Sequence, residues 1–466
     1  MRPAGGGARP APRIAFERWT ESLARAGWPG PGDAAVERVP VAGALGRCTA
    51  APVVARWPSP RSDCAAMDGI AVRAADLAAP PPAGDAGDGD TGDGTVRLPA
   101  GAFEWIDTGD PMPAGADTVV MRERLLPQPD GSVLVTAEAG RGGGRRASHP
   151  TPGRHVRPAG EDFAAGEVLV PAGRRLRPGD LAAAAAGGHA TVTVARTASV
   201  AIIPTGDEIR PAGAALRRGD ITDTNSVMLA ARCRQLGAVP VVSAVVPDDP
   251  DALAAELRRA AAEADLVLVI AGSSRGRGDH AAAVLEQVGS VAVAGVAIRP
   301  GHPTLLGHAK RAEAGGGQGG RAGRGGRVGR GGRVGQERPG RGGVPERAGH
   351  RPGIAPVVGL PGYPLAAAVA FELFAVPLLA AVTGQAPDAG SVRARLDRDW
   401  SSPADVEDWV LVTLAPAGPD GLPSATPARR GAGSISQLAR ADAWWPIPAG
   451  QGDLPAGAVI EVRTIG

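Results

Sequence analysis

The chain has 466 residues and a formal net charge of +2, with Lys310 the single lysine among its many arginines. That length divides into several domains and can bury full cores, and the near-balanced charge excludes a global field that would gather nucleic acid or anionic membrane. Cys48, Cys64 and Cys233 stand far apart with no C-x-x-C pair, which argues against a zinc knuckle, a redox motif or a disulfide framework and fits a reduced cytoplasm. The first residues carry arginines but no apolar core of a secretory signal. The apolar run 266–271 is too short to span a bilayer. A soluble protein with no membrane partner is expected.

Residues 1–13 are Gly, Pro, Arg and Ala apart from Met1 and are expected to be a disordered tail. Ile14, Phe16, Trp19 and Leu23 then share one face of a predicted helix that runs to about Arg25. Residues 40–150 alternate short β-like runs, such as 118–121 and 132–136, with Gly/Pro turns, and 80–94 is an Asp/Gly/Pro loop. From Ser199 the pattern becomes a strict alternation. It predicts strands at 199–203, 239–246, 265–271, 293–298, 304–307 and 355–360, with helices at 225–236, 251–264, 280–288 and 365–382. Strands alternating with helices imply a doubly wound α/β domain. Pro247-Asp248-Asp249-Pro250 supplies a turn and a helix N-cap. Residues from about 390 return to short strands with Gly/Pro turns, suited to a small β-barrel or sandwich.

Residues 311–353 interrupt the α/β pattern with a Gly/Arg near-repeat that has no apolar face, so this insert is expected to be disordered. Arg-Gly-Gly triplets at Arg324, Arg330 and Arg341 could track a phosphate backbone. There are no interleaved aromatics to stack bases, so a surface insertion is the preferred reading and a nucleic-acid partner is not expected.

Three phrases follow predicted strands of the α/β domain: Thr205-Gly206-Asp207-Glu208, Gly272-Ser273-Ser274-Arg275-Gly276 leading to Asp279, and Pro361-Gly362-Tyr363-Pro364. In an open α/β sheet, loops at the carboxyl ends of strands converge on one crevice. Backbone N–H groups at Gly206, Gly272, Gly276 and Gly362 could cradle an anion. The carboxylates of Asp207, Glu208, Asp223 and Asp279 suit a hard cation that bridges phosphate oxygens. Each has a plainer role available as a turn former or helix cap; the case rests on their convergence.

Further blocks carry a resemblance. Met67-Asp68-Gly69, Thr108-Gly109-Asp110 running to Val119-Val120 and Glu123, Arg157 to Asp162, Ile221 to Asn225, Val296 to Pro303, and Gly433-Ser434 with Gln437-Leu438 occur in order with the three loops. Together they resemble the motifs of the molybdopterin molybdenumtransferases, the molybdenum insertases that include the gephyrin E domain.

The resemblance implies a discontinuous linker domain (14–45 and 146–190), a β-rich domain (46–145), a molybdopterin-binding α/β domain (191–388) and a C-terminal β domain (389–466). It also implies a homodimer, with each active site between the α/β domain of one subunit and the β-rich domain of the other. The implied reaction inserts molybdate into adenylylated molybdopterin with Mg2+ and releases AMP. By motif position Asp68, Thr108, Glu208 and Asp279 would be catalytic, and Asp223 and Asp279 would hold the metal. Thr205, Gly206, Asp207, Gly272, Ser274, Gly276, Arg299, His302, Pro361 and Gly362 would bind substrate. The chain departs from the family pattern at Arg299 and His302, where lysines are usual, at Tyr363, where asparagine is usual, and at Ile70, where tyrosine is usual. These departures suggest a divergent second-type insertase. They also leave a catalytically silent molybdopterin-binding or scaffold relative as the alternative.

Overall fold

The structure is a computed structural model that describes residues 9–28, 30, 36–78, 95–136, 151–271, 278–311, 353–384, 390–418, 420–431 and 435–465, excluding the side chains of residues 278 and 279. The expected loop at 80–94 and all but the ends of the Gly/Arg insert lie outside them. The chain forms two compact units, Met1–Glu37 with Ala195–Gly466, and Arg38–Val194.

The first unit contains a six-stranded sheet. Its strands are β1 (Ser199–Pro204), β2 (Val239–Val242), β3 (Leu266–Ala271), β4 (Gly289–Ala294), β5 (Leu305–Lys310) and β6 (Ile354–Pro361), in the spatial order β2-β1-β3-β6-β5-β4. Neighbouring strands β2, β1, β3 and β6 are parallel, whereas β5 runs antiparallel to both of its neighbours. Helices α1 (Pro12–Arg25), α2 (Asn225–Gln235), α3 (Pro250–Glu263), α4 (Gly278–Val288) and α5 (Pro364–Thr383) complete the layer.

Alternating residues of the central strands divide between two cores. Val200, Ile202, Leu268 and Ile270 pack with α1, α2 and α5, while Ala201, Ile203, Val267 and Val269 pack with α3 and α4. Burial on both faces is why β1, β3 and β6 read as unbroken apolar runs rather than alternating ones. Helix α3 begins as its sequence predicts. Asp249 accepts hydrogen bonds from the amides of Asp251 at 2.8 Å and Ala252 at 3.5 Å, with Pro250 in the first turn.

Three expectations are corrected. The first helix, grouped above with the linker domain, packs on the α/β sheet. Ala15, Trp19 and Leu23 are buried in that core, and Trp19 Nε1 donates to Gly307 O at 2.8 Å. The last part of the tail expected to be disordered at 1–13 is structured: Ala297 donates its amide to Pro10 O and the helix starts at Pro12, while residues 1–8 lie outside the described residues. The strand expected at 293–298 is two elements. β4 ends at Ala294, Gly295 turns the chain at φ 88°, and Ile298–Arg299 joins a different sheet.

Helix α5 is long and apolar enough by composition to cross a bilayer, and it is a longer apolar run than β3, but 67% of it is buried within the unit. Its middle, Phe371–Ala375, widens to a π-helical turn. Pro377 comes two residues after its end, lacking the N–H that an α-helical bond would need, and the wider turn accommodates that loss.

The C-terminal strands 391–396, 407–417, 423–427, 443–447 and 459–464 close into a five-stranded barrel. Glu407–Ala417 pairs with both Pro423–Pro427 and Ala443–Ile447, and Ser391–Leu396 and Val459–Thr464 complete the ring. Val410, Val412, Trp445, Ile460 and Val462 fill it.

The second unit holds two three-stranded antiparallel sheets, Glu104–Ile106 with Gly69–Val72 and Thr118–Met121, and Val96–Leu98 with Val133–Val135 and Leu125–Pro127. Shorter ladders tie 53–54 to 168–170 and 64–65 to 156–157. Gly69 is required by this packing: a Cβ there would fall 1.8 Å from Val120 O.

Candidate active site

Strand order reverses between β1 and β3, since β2 lies on one side of β1 and β3 on the other. The loops at the carboxyl ends of β1, β3 and β6 therefore open on the crevice where such sheets bind ligands. After β1, Gly206 adopts φ 135°, and the carboxylate of Glu208 folds over it, so that a Cβ at Gly206 would meet Glu208 Oε2 at 2.8 Å. The amide of Gly206 was expected to face an anion. Instead it donates to Val246 O at 3.1 Å, extending the parallel ladder past the end of β1. Thr205 is also committed, with its hydroxyl donating to Ile270 O at 2.9 Å. Asp207 Oδ1 accepts from the Asp248 amide at 3.2 Å, so this carboxylate braces its own loop.

The start of α2 lies beside the loop after β6. Asn225 Nδ2 donates to Gly362 O at 2.8 Å, and Asp223 Oδ1 accepts from the Ser226 amide at 2.9 Å. Asn225 and Ser226 are 6% and 3% exposed, yet Asn225 Oδ1 and Ser226 Oγ have no hydrogen-bond partner among the described residues. Buried polar atoms without partners are costly and rare. Here two oxygens share one helix start with the Asp223 carboxylate. No group of three or more His, Cys, Asp or Glu side chains among the described residues is arranged to hold a metal. Gly272, Ser274 and Gly276 lie outside the described residues, as does the side chain of Asp279, whose backbone belongs to α4.

Arg299 and His302 border a cavity of about 490 Å3, together with Pro361 and Tyr363 from the loop after β6 and a wall from the C-terminal barrel. Burial and the nearby Arg9 cation lower the pKa of His302 below the usual imidazole value. It is a neutral group at pH 7, not the second fixed cation of the family pattern.

In the other unit, Asp68 and Thr108 are brought together. The Thr108 amide and hydroxyl both donate to Asp68 Oδ1, each at 2.7 Å. The hydroxyl bond first, then the amide bond, with a smaller contribution from the Arg122 charge, hold Asp68 below the ordinary carboxylate range. A carboxylate fixed in its ionised form can orient or accept a proton from a ligand but does not donate one.

Comparison with known proteins matches this arrangement along the chain. The family profile described as MoeA N-terminal region (domain I and II) covers residues 14–188, a probable molybdopterin binding domain covers 201–381, and the MoeA C-terminal region (domain IV) covers 393–465. A molybdopterin molybdenumtransferase 2 of Mycobacterium tuberculosis is 33% identical over 74% of this chain and 75% of its own length. A molybdopterin molybdenumtransferase of Nostoc sp. is 33% identical over 56% of this chain, which spans 59% of that relative. The solved MoeA protein of Pyrococcus horikoshii, a molybdopterin biosynthesis protein, shares 27% identity over 98% of this chain and 99% of its own, with a TM-score of 0.72. The chain belongs to the MoeA family.

Of the loops named from the sequence, 299–303 and 361–363 border the cavity, while 205–208 and 223–225 lie at the end of β1 and the start of α2. The barrel side of the cavity, with Trp400, Asp408 and Arg430, is not singled out by the sequence, and Gln437 only as part of a motif. Arg429-Arg430 just before the Gly433-Ser434 motif is the one sequence signal that could have drawn attention there.

Proposed function

We propose that this MoeA-family chain inserts molybdate into adenylylated molybdopterin and releases AMP, as a divergent second-type insertase of the cytoplasm. The observation that carries the proposal is the start of α2. Its Asn225 amide clamps the Gly362 carbonyl at 2.8 Å while Asn225 Oδ1 and Ser226 Oγ remain buried without partners among the described residues. Oxygens left in that state beside the crevice ask for a ligand.

Mg2+ is the implied metal. It is usually held by one or two carboxylates together with substrate phosphates and water. The oxygen set of Asp223, Asn225 and Ser226 fits that demand, with Asp279 as the second carboxylate expected from the motif. When bound, the cation supplies electrostatic stabilisation of the phosphoanhydride that is cleaved. The protein's own contributions are distinct. Asn225 fixes the Gly362 loop, Glu208 covers the turn at Gly206, Arg299 provides a permanent positive charge for an oxyanion, and neutral His302 provides a hydrogen bond rather than a charge.

Asp68 and Thr108 are read as the opposing wall, contributed by a second copy of the chain in a homodimer. We assign 46–145 to the β-rich domain, 38–45 with 146–190 to the linker domain, 191–388 with α1 to the α/β domain, and 389–466 to the barrel. Molybdate-dependent release of AMP from adenylylated molybdopterin by the purified chain tests the function. Pterin binding without release would support the silent relative instead, a reading that the exchanges at His302 and Tyr363 favour.

A further inference from the structure

The 490 Å3 cavity has a second wall with its own chemistry. Ile298–Arg299 forms a short parallel ladder with the barrel strand Glu407–Ala417, in which Arg299 is the register partner of Asp408. Asp408 is 3% exposed, and its carboxylate meets the Arg430 guanidinium at 3.1 Å. Arg430 also donates to Ser401 O, and its guanidinium stacks on the Trp400 ring with Cζ 4.8 Å from the centroid. Three fixings hold one long side chain, so little rotamer freedom remains to be lost when a ligand arrives. A third of the Arg430 side chain (35%) is still exposed.

The charges do not cancel. Arg299, Arg429 and Arg430 border the cavity with Asp408 as the one carboxylate among the described residues that line it, which leaves an excess positive charge. Burial raises the Asp408 pKa above the ordinary carboxylate value, and the Arg430 and then the Arg299 cations oppose that rise. Two further liners have unmet hydrogen bonds: Trp400 Nε1 and Gln437 Oε1 are buried without partners among the described residues. A cavity bordered by three guanidiniums, an idle N–H donor and an idle acceptor has the groups to hold a hydrated oxyanion.

We propose that Asp408 is a positioning residue that holds Arg430 at the cavity that Arg299 also borders, making the barrel arginine the second arm of an oxyanion clamp in the transfer reaction. The inference rests on the function proposed above. The clamped group is a tetrahedral oxyanion, either the free metal oxyanion or the phosphate of the pterin substrate.

The test uses the full chain with Asp408→Asn, Arg430→Ala, Arg430→Lys and the Asp408→Asn/Arg430→Ala double variant. Calorimetry with sodium molybdate alone, and separately with inorganic phosphate alone, reads the clamp without any turnover. Molybdate-dependent AMP release reads KM and kcat. Loss of the Arg430 charge should weaken binding of the anion by about tenfold or more, the scale of one charged hydrogen bond, and Asp408→Asn should raise KM several-fold with kcat nearly unchanged. Asp408→Asn should add nothing in the Arg430→Ala background, because it acts through Arg430. Arg430→Lys, which keeps the charge, should bind more tightly than Arg430→Ala and shows that any loss is not a folding defect.

Tighter binding of molybdate than phosphate assigns the clamp to the metal oxyanion, and the reverse assigns it to the pterin phosphate. If AMP release fails in every protein but wild-type anion binding still depends on Arg430, the clamp stands and the function reading falls. Wild-type chain that binds neither anion, or an Asp408→Asn effect of equal size in both backgrounds, would overturn the proposal.

Discussion

The backbone N–H of Arg311 donates to the carbonyl of Gly353 at 2.8 Å, one step beyond the last register pair of the β5–β6 ladder, Lys310 with Ile354. The Arg311 guanidinium also reaches Ile354 O at 3.0 Å and Ala264 O at 2.8 Å. The two ends of the Gly/Arg insert are thus already at hairpin distance, anchored by its terminal residues Arg311 and Gly353. Each doubling of loop length costs only about 0.6 kcal/mol. Replacing residues 312–352 with a two-residue Asn-Gly turn should therefore leave the thermal melt unchanged or slightly higher and preserve turnover. A chain that fails to fold or loses AMP release after the replacement would show that the insert has a structural or active-site role.

Asp68 should set an acid limit on activity. Its folded pKa is below the ordinary carboxylate value, chiefly because of the Thr108 hydroxyl, so the ionised form persists to low pH. Thr108→Val removes that hydroxyl but keeps the amide bond. The acid limb of the kcat/KM profile should move to higher pH in this variant, with the rate at neutral pH less affected. An acid limb that stays in place would separate Asp68 from the rate-determining ionisation.

The Arg196–Asp265 pair should be the most pH-sensitive contact at the root of the sheet. Asp265 is 9% exposed and accepts from Arg196 Nη1 and Nη2, each at 2.9 Å, and from the Ser199 amide at 2.8 Å. Burial pushes its pKa up, but the Arg196 bonds and the Ser199 amide outweigh that and hold it below the ordinary value. Its stabilisation is therefore complete above the unfolded carboxylate value of about 3.9 and is lost as the pH falls through the lower folded value. Asp265→Asn should destabilise the unit by roughly 3 kcal/mol at pH 7, since it strands a partly buried cation. The gap to wild type in urea unfolding should narrow below about pH 4.

A composite site across two copies predicts subunit complementation. Asp68→Ala and Asp279→Ala chains, each inactive alone, should recover part of the AMP release when mixed and allowed to exchange, because one class of site then carries both carboxylates. No recovery from a mixture shown to form mixed dimers, or full activity in a chain that sediments as a monomer, would contradict the shared site.

What the sequence made legible was local. The Asp249-Pro250 cap, the unbroken apolar runs of β1, β3 and β6, and the order of motif blocks all depend on neighbours in the chain. What it concealed was the product of long-range pairing. Trp19 belongs with the α/β core because its indole finds Gly307 O, and nothing near residue 19 says so. The Gly206 amide faces Val246 because the β1 ladder runs on past Pro204, and a glycine-rich loop reads the same whether its amide is free or paired. Asp408 stands beside Arg299 only because a two-residue ladder links the barrel to the α/β domain. Residues 272–277, which carry three of the substrate-binding expectations, lie outside the described structure.

The central claim is that the crevice around Asn225, Asp223 and Gly362 performs molybdate insertion. The most direct measurement is single-turnover AMP release from adenylylated molybdopterin, titrated with molybdate, in wild type and in Asn225→Leu. The account predicts saturable, molybdate-dependent release in wild type. It predicts a loss of a hundredfold order in Asn225→Leu, which frees the Gly362 carbonyl and removes an oxygen from the site, with a folded chain confirmed by circular dichroism. AMP release at the same rate without molybdate, or an Asn225→Leu chain as fast as wild type, would contradict it.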